Sequence, residues 1–207
     1  MWDNPIDYFI VSDPTDLPPE GNPLLRSVDP QKRIPEEAPN SPLQRLLLES
    51  GAEELGKQLS EPFRLSKADL VDLVSRGVTV LSTMAAELGV VLRVQIRGQR
   101  ILPSVDGEKV RRVVNALVVH LLTVSQAEGW VKIGLEDQSH GNRRGFVIRL
   151  TAGSVILPWK TGAEFEEELN TQPELSICRQ IVERLGGALA VQWEDNHQLI
   201  YSIWLPA

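Results

Sequence analysis

Cysteine is almost missing from this chain, whose 207 residues contain only Cys178. One thiol excludes an intramolecular disulfide and a cysteine-based zinc site, and Cys178 falls on the apolar stripe of an expected helix, where core packing is its expected role. No apolar run approaches the roughly 18 residues that span a bilayer, so no membrane span is expected. The opening residues Trp2, Asp3, Asn4 and Pro5 lack the basic region and apolar stretch of a secretion signal, which makes the cytoplasm the expected location. No internal repeat, catalytic triad or paired-carboxylate site emerges from spacing. His120, His140 and His197 are the only histidines, and no second histidine or carboxylate lies at helical ligand spacing from His120, so no metal site is expected.

Charge is unevenly divided. The net charge of −7 resides entirely in residues 1–61, which hold 12 acidic and 5 basic side chains, whereas residues 62–207 hold 16 of each. An acidic segment repels phosphate backbones, so nucleic acid is not an expected partner. Arg93, Arg97, Arg100, Arg111 and Arg112 belong to a domain that is neutral overall, and they read as a solvated polar face.

Nine of the 14 prolines lie in residues 1–42, where missing amide donors and fixed φ angles oppose regular structure. This acidic segment is expected to be mostly disordered. Residues 2–11 gather Trp2, Ile6, Tyr8, Phe9, Ile10 and Val11, in a chain that is only 5% aromatic. Two readings stand: a peptide that docks on a signalling protein through Trp2, Tyr8 and Phe9, or side chains that fold back onto the chain's own domain. Residues 43–61, with Leu43, Leu46, Leu47, Leu48, Leu55 and Leu59, read as a short helical connector interrupted at Gly51 and Gly56 and able to pair with another helix.

From Phe63 onward the pattern becomes regular. A short strand is followed by a helix with Ser66 as N-cap and Asp69 three residues later, an inner stripe of Leu70, Val74, Val78, Leu81, Ala85 and Leu88, and a stop at Gly89. Strand candidates follow at residues 90–96 and 100–102. A second helix runs from about Asp106 to Ser125 over Val110, Val113, Val114, Leu117, Leu121 and Leu122. Val131, Ile133 and Leu135, then Phe146, Ile148 and Leu150, alternate as a hairpin. After a loop and four glutamates, Thr171 and Glu174 have capping-box spacing before a helix with Ile177, Cys178, Ile181, Val182 and Leu185, which ends at Gly186 and Gly187. Two closing strands turn at Asp195 and Asn196. Residues 62–207 should therefore form an α/β two-layer sandwich of a mixed sheet and about three helices.

The run DGEKVRRVVNALVVH at residues 106–120 resembles the asparagine-box helix of histidine-kinase ATPase domains, of the GHKL superfamily. The run LSICRQIVERLGG at residues 175–187 resembles that family's last helix more closely, and the two lie in the family's order. With residues 63–88 resembling the segment that leads into such domains, the likeness spans residues 62–207.

The resemblance also shows what is missing. In that family an asparagine on the first of these helices holds magnesium, and His120 takes its place. Imidazole is a softer donor than the amide oxygen and can become cationic. The family's D-x-G-x-G stretch, whose aspartate binds the adenine amino group, is occupied by Thr151, Ala152, Gly153, Ser154 and Val155. A carboxylate has become a hydroxyl, and a glycine a β-branched valine. Where a glycine-rich run should cradle phosphates, Gln172, Pro173 and Glu174 precede Leu175, bringing a missing amide and a negative charge. No histidine precedes residue 120, so the phosphoacceptor of autophosphorylation is also missing.

The expected function is thus a non-catalytic signalling module. His120, Thr151, Gly153, Val155 and Leu175 mark its degenerate nucleotide pocket, no cofactor or catalytic residue is expected, and a homodimer is compatible with the pattern. The alternative is an ATP- and magnesium-dependent divergent histidine or serine kinase acting on a separate acceptor.

Overall fold

In the computed structural model, which describes residues 50–96, 103–139, 143–155, 172–194 and 197–207, the elements follow one another as α1 (Ala52–Ser60), β1 (Ser66–Lys67), α2 (Leu70–Glu87), β2 (Val91–Ile96), β3 (Ser104–Val105), α3 (Gly107–Val124), β4 (Ser125–Asp137), β5 (Gly145–Val155), α4 (Pro173–Arg184), β6 (Ala188–Glu194) and β7 (Gln198–Pro206). The larger strands form a mixed five-stranded sheet of order β2-β4-β5-β7-β6, in which only β2 and β4 are parallel. β1 and β3 pair separately.

Alternation makes the sheet one-sided. Ile133, Leu150, Tyr201 and Val191 form one cross-strand row, and Leu135, Ile148, Ile203 and Leu189 form the next. In the three central strands these side chains are at most 1% exposed, because the helices cover this face. Arg93, Lys132, Thr151 and Arg149 stand at the alternate positions and face the other way. α2 packs on β2 and α3, α3 lies over β4 and β5, and α4 covers β6. α3 lies between α2 and α4, so the expected stripe is buried together with Val118 and Asn115.

Several local expectations change. Ser66 is not a helix cap but part of β1, and Asp69 caps α2, its carboxylate accepting hydrogen bonds from Val71 and Asp72 amides at 3.1 and 3.3 Å. An aspartate one residue before the helix reaches the unpaired amides, whereas Ser66 is too far upstream. Gly89 does end α2 with a φ of +67°, but Leu88 is 41% exposed rather than part of the stripe. Gly56 lies inside α1 without interrupting it, and Gly51 is its extended N-cap. The second strand expected after Gly89, at residues 100–102, lies outside the described residues, and β3 at Ser104–Val105 was not expected. The N-terminal docking peptide, Thr171, and the Asp195-Asn196 turn also lie outside them. Among the described residues no helix is long and apolar enough to cross a membrane.

Asp106 does two tasks. One carboxylate oxygen caps α3 at the Lys109 amide (3.2 Å), and the other accepts the Arg64 amide (2.8 Å), tying the segment before β1 to α3. Asp106→Ala should therefore cost about 1–3 kcal/mol in urea unfolding, more than a cap alone, because a second amide is stranded. Asp106→Asn, which can keep only one oxygen acceptor, should fall between the two.

Candidate functional site

The C-terminal half of α3, the first turn of α4 and the start of α1 line an open cavity of about 230 Å³. His120, Thr123, Val119 and Ala116 line it from α3, and Gln172, Glu174, Leu175 and Cys178 from the start of α4. Ser50 and Gly51 complete it from the N-terminal side. His120 and Leu175, placed together by the sequence reading, do meet here.

His120 projects from α3 toward β7, where its Nδ1 lies 3.0 Å from the Tyr201 hydroxyl, with the two rings edge to face. Tyr201 is fully buried, and the contact with Nδ1 gives its hydroxyl a hydrogen-bond partner. In the neutral imidazole the hydroxyl donates to a bare Nδ1 or accepts from Nδ1–H, according to which ring nitrogen carries the proton. Burial pushes the His120 pKa below its ordinary value, with Glu174 opposing weakly, while burial raises that of Tyr201. Both groups are thereby held neutral. Burial likewise pushes the Cys178 thiol up to about 12, which keeps it an unreactive part of the wall.

Sheet parity separates the remaining positions from this cavity. Thr151 and Gly153 face the side of the sheet away from the helices; Thr151 lines a different depression with Gln95, Lys132, Gly134 and Arg149. The residue of this stretch that faces the helices is Ala152, fully buried and without an acceptor. Gly153 is paired with Trp130 across β4, and a Cβ there would strike the indole. Its lack of a side chain accommodates a neighbouring ring. Val155 is buried at the end of β5, paired with Ser125.

A second cluster was not foreseen. Lys109 is only 2% exposed, yet its ammonium donates to the Gln58 carbonyl and lies 4.7 Å from the centre of the Phe63 ring. Arg184 reaches the same ring at 4.4 Å and donates to the Leu59 carbonyl. The two cations thus hold the last carbonyls of α1, where a helix dipole favours positive charge. The signal in the sequence was a lysine on the inner spacing of α3, four residues before Val113.

No group of three or more histidine, cysteine, aspartate or glutamate side chains among the described residues is arranged to hold a metal ion. No family model matches the chain, and no curated protein does. Solved structures do. The Acinetobacter baumannii histidine kinase AdeS superposes with a TM-score of 0.58 at 14% identity, over 78% of this chain and 75% of that one. The nucleotide-free catalytic domain of histidine kinase ThkA gives 0.59 at 17% identity, over 69% and 95%. ThkA in complex with the response regulator protein TrrA gives 0.61 at 17% identity, over 82% of this chain and 52% of the other. The described chain therefore has the fold of histidine-kinase catalytic domains, as residues 106–120 and 175–187 led one to expect.

Proposed function

We propose that this chain is a non-catalytic signalling or regulatory interaction module built on a histidine-kinase ATPase fold. The hydrogen bond between Tyr201 and His120 carries the reading. It engages Nδ1 in a contact within the protein, where the resemblance implies an asparagine presenting its amide oxygen to magnesium. Glu174, in the first turn of α4, adds negative charge to the same cavity, and Pro173 withholds an amide from an incoming phosphate. Ala152 offers no acceptor for an adenine amino group. These residues do not fit magnesium-bound ATP, and no phosphoryl-transfer step is derived through it.

A protein partner in signalling is supported by the likeness to ThkA, which was solved with the response regulator protein TrrA. Trp2, Tyr8 and Phe9 remain the proposed docking side chains, and pairing of two copies a compatible arrangement.

Isothermal titration of the full chain with ATP and magnesium should give no detectable heat; micromolar binding would instead favour the kinase alternative. The state of His120 has its own readout. Its folded pKa lies below the ordinary 6.5, so the unfolded chain takes up the proton first as pH falls. Its contribution is complete above about pH 6.5 and is lost as pH falls through the lower folded pKa. His120→Gln, which keeps an acceptor for Tyr201, should therefore flatten the loss of stability between pH 7 and pH 5 in denaturant titrations. An unchanged slope would contradict a buried neutral imidazole.

A further inference from the structure

α1 occupies the groove between α3 and α4, and what the groove recognises in it is mostly generic. Leu55 is fully buried and Leu59 packs against the core, so a leucine pair four residues apart provides the apolar contact. Arg112 of α3 pairs with Glu54 at 3.3 Å. At the other end Lys109 and Arg184 bind main-chain carbonyls of Gln58 and Leu59, groups that any helix terminus presents. Nine residues form a marginal helix in water, so α1 borrows its order from the groove. Its connection to β1, residues 61–65, contains exposed Glu61, Pro62, Arg64 and Leu65, and is anchored by the Phe63 ring and by the Arg64 amide on Asp106.

From this we infer that the α3–α4 groove is a helix-docking site. Its partner is a short amphipathic helix with leucines four apart and an acidic residue immediately before the first, and α1 is the resident competitor that such a helix displaces. Phe63 stays between the two cations during the exchange and keeps them facing the groove. The inference rests on the reading of the chain as an interaction module, and names the surface that module uses. It does not depend on the nucleotide titration, because an empty groove would accept a helix whether or not ATP binds beside His120.

The test uses the full chain and a fluorescein-labelled peptide of residues 50–62 as the incoming helix, followed by fluorescence anisotropy. Leu55→Asp should release α1 and raise peptide affinity at least tenfold over the wild-type chain. Adding Arg112→Glu should reduce it again, and a peptide with serine at both leucine positions should not bind. Equal affinity for wild type and Leu55→Asp, with circular dichroism showing both folded, would overturn the inference. Should Leu55→Asp fail to fold, amide exchange on the wild-type chain decides. Amides of Ala52–Ser60 should exchange well before those of α3; protection equal to that of α3 would mean that the groove never opens, and would overturn the inference equally.

Discussion

The inner face of β5 is the constraint on which the rest of this molecule depends. Lying between β4 and β7, it presents Ile148, Leu150 and Ala152, each fully buried, to the covering helices. A strand has only two faces, so fixing those three inward forces Arg149, Thr151 and Gly153 outward. The same register sets Leu150 opposite Tyr201, which brings the Tyr201 hydroxyl within reach of α3 and His120. Packing thus decides which side chains can share a cavity.

The chemistry of that cavity follows from burial. A histidine, a tyrosine and a thiol are withdrawn from water and held in their neutral forms, and two of them satisfy each other. Glu174 is the carboxylate among the lining residues. The cavity thus sets a buried, neutral His120–Tyr201 pair beside a carboxylate, within a fold that is that of domains known as kinases.

Cations elsewhere in the structure serve helix ends. Lys109 and Arg184 hold the carbonyl end of α1 and share the face of Phe63, an arrangement in which desolvated positive charge is met by backbone dipole and ring quadrupole together. Glu108 and Glu54 compensate Arg112 at the other side of the same groove. The surface of α3 is therefore divided lengthwise, its first half gripping α1 and its last turns lining the cavity.

Much of this architecture was already written in residue order. Stripes on α2 and α3 and alternation in β4, β5 and β7 identified the sandwich, and the runs at residues 106–120 and 175–187 identified the kind of domain, because periodicity reports which face is buried. The resemblance carried by those two runs also placed His120 near Leu175. It could not say that Thr151 faces away from His120, that Tyr201 is the partner of its imidazole, or that α1 lies along α3. Each of these joins groups more than 30 residues apart, through strand register and helix docking. Such contacts exist only once the two layers close, and so tertiary structure alone decided them.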